Sequence, residues 1–133
     1  MSEKIAVLTS GGDAPGMNAC IRAVVRRSLG LGCTPVGIFK GYEGLISGDF
    51  VPLSHESVTG ILNHGGTILK SARCREFYEK EGRAAAAAKL KDADIQKLVV
   101  VGGDGTFTGA QKLIEEHHID IVGVPGTIDN DLY

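Results

Sequence analysis

Cysteine is scarce in this sequence, and its spacing excludes two common uses of the residue. The three cysteines are Cys20, Cys33 and Cys74, which stand far apart and include no C-x-x-C pair. A disulfide framework and a structural zinc site both require a closely organised set of cysteines. Neither is therefore expected, and the cysteine usage favours a reducing, cytoplasmic setting.

Long hydrophobic runs and a strong charge of one sign are also lacking. No apolar stretch approaches the ~20 residues of a membrane-spanning helix, and the first residues show no charged segment followed by a long apolar one. We therefore expect neither a membrane partner nor a signal peptide. The formal net charge is only −2 over 133 residues, so the composition does not favour binding to nucleic acid.

The common nucleotide-binding fingerprints are absent as well. The P-loop pattern G-x-x-x-x-G-K-[ST] does not occur, and residues 103–109 read G-x-G-x-x-x-G rather than the dinucleotide pattern G-x-G-x-x-G. These absences argue against a P-loop enzyme and against a dehydrogenase. His117 and His118 close a predicted helix in a Glu-Glu-His-His sequence, where solvation is favoured over metal binding.

Glycine, by contrast, is abundant, with 19 residues that stand mostly at the ends of short apolar runs. The apolar runs are rich in β-branched residues and predict parallel strands buried on both faces. The predicted strands are 5–8, 36–39, 98–101 and 121–124. The predicted helices, which alternate with them, are 17–29, 54–63, 79–90 and 109–117. This order predicts an α/β fold: a doubly wound, Rossmann-like and mostly parallel sheet with helices on both faces.

Three glycine-containing loops follow predicted strands. They are 10–13 (S-G-G-D), 101–106 (V-G-G-D-G-T) and 125–131 (P-G-T-I-D-N-D). Glycine lets a backbone approach an anion closely, and a helix that begins after the loop adds N–H donors and a partial positive charge. Because ligands of such sheets lie at the carboxyl ends of the strands, the three loops together predict a phosphate site beside acidic side chains.

The side chains of these loops match the needs of phosphoryl transfer, which depends on positioning and electrostatics. We expect Gly12 to offer backbone contact, Asp104 to hold Mg²⁺, and Asp129 to accept the proton of the acceptor hydroxyl. Thr127 would donate to the migrating group, and Asp131 would tune the same field. One G-G-D turn alone is more often structural, so the prediction depends on three loops at consistent strand ends.

Several arginine and thiol side chains admit two interpretations. Arg73 follows a polar stretch and either clamps phosphate oxygens or pairs with a nearby glutamate at the surface. Arg22 and Arg26 share a helix face, where spacing alone favours solvation. Cys74, beside Arg73, is a candidate for a lowered thiol pKa, but the sequence identifies no base and we assign it no nucleophilic role.

Five stretches of the sequence agree with one pattern. They are 8–18 (L-T-S-G-G-D-A-P-G-M-N), the turn 41–45 (G-Y-E-G-L), 65–73 (G-G-T-I-L-K-S-A-R), 102–105 (G-G-D-G) and 125–131. Together they closely resemble the ATP-dependent 6-phosphofructokinases of the bacterial type, over essentially Lys4 to Asp131. The resemblance implies transfer of the ATP γ-phosphoryl group to the 1-hydroxyl of fructose 6-phosphate, with Mg²⁺ as cofactor.

The resemblance also implies two sets of site residues. The residues on the ATP side would be Gly12, Tyr42, Arg73, Cys74, Gly103, Asp104, Gly105 and Thr106, with Asp104 serving Mg²⁺. The residues on the sugar side would be Thr127, Asp129 and Asp131. Asp129 would be the catalytic base, and Thr127, Asp131 and Arg73 would complete the catalytic set.

The phosphoryl donor and an effector site are implied in the same way. Relatives that use pyrophosphate typically carry Asp where this chain has Gly105 and Lys where it has Gly126, so these small residues leave room for ATP. Arg22 and Arg26 match an effector pocket between subunits, where ADP or another phosphorylated effector binds. His55 stands where a third basic residue of that pocket is expected. A homotetramer is implied for the full-length chain.

We expect residues 1–133 to be the N-terminal, ATP-binding portion of a longer phosphofructokinase. Alone, this portion is expected to bind nucleotide weakly and to catalyse nothing measurable. A natural stop at Tyr133 would contradict the expectation of a longer chain. Three alternatives stay open. They are a kinase of the NAD or diacylglycerol type, which shares G-G-D-G-T, a non-catalytic nucleotide-sensing module, and a structural truncated domain.

Overall fold

One sheet organises the computed structural model, which describes residues 3–10, 16–60, 67–70 and 74–125. Its strands within these residues are β1 (Lys4–Thr9), β2 (Thr34–Ile38), β3 (Phe50–Pro52), β4 (Lys97–Gly102) and β5 (Asp120–Pro125). Their order across the sheet is β3-β2-β1-β4-β5. The four predicted strands are thus confirmed, and β3 is an addition, too short at three residues to show a periodic pattern.

The strand pairing is mostly parallel. Strand β1 pairs in parallel with both β2 and β4, and β4 pairs in parallel with β5. Only β3, at the edge, runs antiparallel to its partner β2 among the described strands. Because the chain builds outward from β1 in one direction through β2 and then in the other through β4, the switch point of this topology lies between the carboxyl ends of β1 and β4.

Helices connect the strands, and several differ in extent from the prediction. The helices are α1 (Gly16–Gly30), α2 (Gly41–Ser47), α3 (His55–Val58), α4 (Lys80–Asp92) and α5 (Asp104–His117), with a 3₁₀ helix at Arg75–Tyr78. Helix α1 ends at Gly30, and α4 lies close to its predicted bounds. Helix α3 is shorter than expected: Ser54 caps it, but within the described residues it ends at Val58.

Two predicted boundaries near the switch point were wrong. The stretch 41–45, expected as a turn, forms the first part of α2, which begins at the left-handed Gly41 (φ 57°) directly after the left-handed Lys40 (φ 62°). Helix α5 begins at Asp104 and not at Gly109. Two glycines in its first half lowered the helical signal, but the extended Gly103 starts the helix and Asp104 in the first turn suits its dipole.

The core has two parts, one on each face of the sheet. Alternate side chains of a strand point to opposite faces, so Ala6 and Leu8 pack with α2, α4 and α5, whereas Val7 packs with α1 and α3. Helices therefore cover both faces, and the predicted fold class is confirmed. Within the described residues, no helix combines the length and apolar character needed to cross a membrane.

Candidate functional site

The carboxyl ends of β1 and β4 are joined tightly at the switch point. The backbone N–H of Ser10 donates to the carbonyl oxygen of Val101 at 2.9 Å. A Cβ at Gly102 would stand 2.7 Å from the carbonyl oxygen of Ser10 and 2.5 Å from Oγ1 of Thr106. Glycine is thus required at 102 by close packing between β1, β4 and the first turn of α5.

The next glycines are free of such constraints. A Cβ added at Gly103 or at Gly105 would meet no atom within 4 Å, and Gly103 is extended, with φ −120°. Neither packing nor a left-handed backbone therefore demands glycine at these positions. What glycine provides is open space in front of the first turn of α5, where the leading N–H groups of the helix have no partner within it.

Asp104 lies exposed in this first turn of α5. Oγ1 of Thr108 donates to its carbonyl oxygen at 3.0 Å, one turn along the helix, so the carboxylate sits on well-formed backbone. The described residues contain no cluster of three or more His, Cys, Asp and Glu side chains that would enclose a metal ion. A single exposed carboxylate beside open space fits Mg²⁺, which is commonly held by one or two carboxylates together with substrate phosphates.

Tyr42 connects α2 to the first turn of α5. Its phenolic oxygen donates to the carbonyl oxygen of Thr106 at 2.6 Å, and the side chain is 6% exposed. Burial, with a smaller contribution from the phenol of Tyr78, raises the pKa of Tyr42, so the hydroxyl keeps its proton at neutral pH. Helix α2 is itself held close to β1, since a Cβ at Gly41 would lie 2.8 Å from the carbonyl oxygen of Thr9.

The ring of Tyr42 stacks on Phe77 of the 3₁₀ helix. The ring centroids are 3.7 Å apart and the planes differ by 5°. Both ring edges lie against α5 at Gly109, where a Cβ would stand 3.0 Å from Cε2 of Phe77 and 3.4 Å from Cε2 of Tyr42. The sequence analysis gave Phe77 and Gly109 no role, although a glycine in a helix interior, which costs stability, is a signal of close packing.

Residues 67–70 are anchored to the end of β1. Oγ1 of Thr9 donates to the carbonyl oxygen of Lys70 at 3.2 Å and lies 3.0 Å from Oγ1 of Thr67. The N–H of Ile68 donates to Oδ1 of Asn18 in α1 at 2.9 Å. These bonds hold the segment that precedes Arg73 at the same edge of the sheet as the glycine loop after β4.

The thiol of Cys74 behaves differently from the expectation. Burial, the largest cause, raises its pKa, the backbone hydrogen bond of Phe77 lowers the pKa to a smaller extent, and the carboxylates of Glu76 and Glu43 raise it further. The expected lowering of this pKa was therefore wrong, because burial disfavours the thiolate and the nearby carboxylates add to that effect. Cys74 precedes the 3₁₀ helix that carries Phe77, so it borders the Tyr42–Phe77 stack as an ordinary thiol.

The three expected effector residues lie on the opposite face of the sheet from α5. Arg22 is half-buried and Arg26 is exposed on α1, and His55 is exposed at the start of α3. Helix α1 packs against α3. The fold thus brings together the two elements that carry these residues, away from the Tyr42–Phe77 stack.

The other expected site residues fall outside the described residues. They are Gly12, Arg73, Thr127, Asp129 and Asp131. The structure does describe where two of the loops leave the sheet: Gly102 of β4 is paired with Pro125 of β5. The residue before Gly103 and the residue before the acidic stretch 126–131 therefore lie side by side.

Comparisons with known proteins agree with this arrangement. The model of a family described as Phosphofructokinase matches residues 4–133. ATP-dependent 6-phosphofructokinase of Thermotoga neapolitana is 58% identical over 130 residues, and ATP-dependent 6-phosphofructokinase 1 of Thermus thermophilus is 60% identical over 131 residues. Each alignment covers 98% of this chain and 41% of the relative. The chain thus spans about two fifths of the length of these relatives.

A solved structure gives the same result for the fold. The crystal structure of Pichia pastoris phosphofructokinase in the T-state superposes with a TM-score of 0.90 and 43% sequence identity. The superposition covers 98% of this chain and 16% of that chain.

Proposed function

Because the chain belongs to the phosphofructokinase family, we propose that the full-length gene product transfers the γ-phosphoryl group of ATP to the 1-hydroxyl of fructose 6-phosphate. A bond forms between the sugar O1 and the γ-phosphorus, and the bond from that phosphorus to the β–γ bridging oxygen breaks. The products are fructose 1,6-bisphosphate and ADP. The observation that carries the proposal is the first turn of α5, where Asp104 and two sterically unconstrained glycines face open space at the switch point.

The nucleotide side of the proposed site centres on this first turn. Gly103 and Gly105 admit close approach of phosphate oxygens to the backbone, and the N-terminus of α5 favours negative charge. Tyr42 fixes the carbonyl of Thr106 and thereby the orientation of the turn. The proposed ATP-side residues are those given by the resemblance: Gly12, Tyr42, Arg73, Cys74, Gly103, Asp104, Gly105 and Thr106.

Asp104 is the proposed holder of Mg²⁺. When held by Asp104, Mg²⁺ would supply positive charge that offsets the negative charge of the phosphates during transfer. The exposed position of the carboxylate beside the open glycine loop supports this role. No further carboxylate is required, since water and phosphate oxygens fill the remaining positions of such an ion.

The sugar side of the proposed site is the loop after β5. Asp129 takes the proton of the 1-hydroxyl as O1 attacks, Thr127 donates to the transferring group, and Asp131 supports the field around them. Arg73 clamps phosphate oxygens bidentately. The pairing of Gly102 with Pro125 supports the placement, because Pro125 precedes this segment in the chain and Gly102 precedes the first turn of α5 that carries Asp104.

Three further features are proposed on the strength of the resemblance and of the relatives' names. ATP is the donor, since Gly105 leaves space that an acidic side chain would occupy. Arg22, Arg26 and His55 bind ADP or another phosphorylated effector, which the contact between α1 and α3 supports. The full-length protein is a cytoplasmic homotetramer without nucleic-acid or membrane partners.

A coupled assay on the full-length gene product tests the proposed function. With Mg²⁺ and fructose 6-phosphate present, turnover is compared with ATP and with pyrophosphate as donor. ATP-dependent formation of fructose 1,6-bisphosphate is expected. Activity with pyrophosphate alone would overturn the donor assignment, and inactivity with both donors would favour a nucleotide-sensing module.

A further inference from the structure

A buried arginine joins the far end of α5 to the aromatic stack. Nε of Arg83 in α4 donates to Oε1 of Glu116 at 2.7 Å, and Nη2 donates to Oε2 at 2.9 Å. Nη1 donates to the carbonyl oxygen of Phe77 at 3.0 Å. Arg83 is 4% exposed, so its guanidinium is directed into the protein and divided between two partners.

These contacts form a continuous series that begins and ends on α5. Glu116 holds Arg83, Arg83 holds the backbone of Phe77, Phe77 stacks on Tyr42, and Tyr42 donates to Thr106. Thr106 and Glu116 stand at opposite ends of the same helix. The 3₁₀ helix that carries Phe77 is only four residues long and has few internal hydrogen bonds, so its position depends on external anchors such as Arg83.

We propose that Arg83 and Glu116 are positioning residues that set nucleotide affinity by holding the Phe77–Tyr42 stack against the first turn of α5. Neither residue touches the nucleotide in this account. The proposal rests on the proposed function, because it places the nucleotide at that first turn. A bidentate pair between a planar guanidinium and a carboxylate restricts orientation as well as distance. The Arg83–Glu116 pair is therefore suited to holding the Phe77–Tyr42 stack in one position.

Electrostatic interactions keep Glu116 in the charged form that this bidentate geometry requires. The hydrogen bond from Arg83 lowers the pKa of Glu116, and the charges of Lys80 and His117 act in the same direction. The carboxylate is therefore ionised at neutral pH and offers both oxygens to the guanidinium. The backbone of α4 also packs directly against the 3₁₀ helix, since a Cβ at Gly82 would overlap the carbonyl oxygen of Glu76.

Glu116→Gln in the full-length gene product tests the proposal, with Glu115→Gln as the matched control. Glu115 is exposed and accepts instead from Gln111, one turn back along α5. We expect Glu116→Gln to weaken binding of ATP and of ADP roughly three- to tenfold, which lies within the range of about 0.5–2 kcal/mol over which packed networks transmit coupling. The KM for ATP should rise with the dissociation constant, whereas the KM for fructose 6-phosphate and kcat should change less than about twofold.

Two outcomes would overturn the proposal. A fall in kcat with an unchanged KM for ATP would mean that the pair only maintains folded protein, and would overturn the proposal. Equal nucleotide affinities for Glu116→Gln, Glu115→Gln and the parent would overturn it too, while leaving the proposed function intact. Because ATP and ADP binding are measured directly by calorimetry, the proposal is also tested if the parent protein binds nucleotide but shows no kinase activity.

A second variant guards against a folding defect. Arg83→Lys keeps the charge but cannot make the two parallel bonds to Glu116 and the bond to Phe77 at once. It should weaken nucleotide binding as much as Glu116→Gln does, and the double variant should be no worse than either single one. Additive losses in the double variant would contradict a shared mechanism.

Discussion

The phenolic oxygen of Tyr42 lies 2.6 Å from the carbonyl oxygen of Thr106, to which it donates a hydrogen bond. The two residues are 64 positions apart in the chain, and the bond fixes the first turn of α5 from outside the helix. Its geometry matters for function because the same turn carries Asp104. The affinity for nucleotide is therefore expected to depend on a residue that need not touch the phosphates.

Removal of the Tyr42 hydroxyl should loosen this turn. Tyr42→Phe keeps the stack on Phe77 but removes one hydrogen bond to a buried helical carbonyl oxygen, which lowers the free energy of unfolding by about 0.5–1.5 kcal/mol. We expect a lower midpoint of thermal unfolding and a raised KM for ATP. The control is Tyr78→Phe, since the side chain of Tyr78 is 67% exposed. Equal behaviour of the two variants would contradict the account.

Substitution by alanine should destabilise the protein at Gly102 but leave its stability unchanged at Gly105. A Cβ at Gly102 meets backbone and Thr106, which must shift at a cost of roughly 1–3 kcal/mol, whereas a Cβ at Gly105 meets nothing within 4 Å. Chemical denaturation of the two variants measures the difference. Gly105→Ala should retain the stability of the parent within about 0.5 kcal/mol, and a destabilisation as large as that of Gly102→Ala would show that Gly105 is structural.

Charge at position 105 should discriminate against ATP. Gly105→Asp places a carboxylate where the phosphates are proposed to bind, and repulsion should raise the KM for ATP by about tenfold or more, equivalent to ~1.4 kcal/mol. Gly105→Asn is nearly isosteric but neutral and separates size from charge. Steady-state kinetics with ATP and with pyrophosphate provide the measurement. An unchanged KM for ATP in Gly105→Asp would show that the first turn of α5 does not form part of the donor site.

Asp129 should affect turnover more than binding. In Asp129→Ser no carboxylate remains to accept the proton of the sugar hydroxyl, so kcat should fall by about two to four orders of magnitude while the dissociation constant of ATP changes little. Calorimetry and the coupled assay together separate the two effects. Unimpaired turnover would exclude Asp129 as the base.

The Arg83–Glu116 pair should make stability depend on pH in the acid range. The pKa of Glu116 is lowered from 4.5 in the folded protein by the hydrogen bond from Arg83, so its contribution to the free energy of unfolding is present above pH 4.5 and is lost as the pH falls below it. Thermal unfolding of the parent and of Glu116→Gln should therefore differ most near neutral pH. A difference that grows on acidification would contradict this sign.

The sequence analysis predicted the framework of the fold well because strands and amphipathic helices have local patterns. The runs at 98–101 and 121–124 are β-branched and short, and both are strands. Helix α5 was begun five residues too late because glycine has low helix propensity. At Gly109, tertiary packing outweighs that propensity, since the rings of Phe77 and Tyr42 occupy the space that a side chain would take.

For the candidate site as well, features formed by adjacent residues could be predicted, whereas contacts between distant residues could not. The glycine-aspartate sequence after β4 was placed correctly at a strand end, because glycine, aspartate and a preceding apolar run are adjacent in the chain, although only Gly103 separates the strand from α5. The Tyr42–Phe77 stack and the Arg83–Glu116 pair were missed. They join residues 35 and 33 positions apart, and no local period or spacing indicates such contacts.

The most direct test of the account is ³¹P NMR of the product formed by the full-length gene product from ATP, fructose 6-phosphate and Mg²⁺. The account predicts one new phosphate resonance coupled to the C1 protons of the sugar, appearing together with ADP in equal amount. Release of ADP and inorganic phosphate with no new sugar phosphate, or phosphorylation at another hydroxyl, would contradict it.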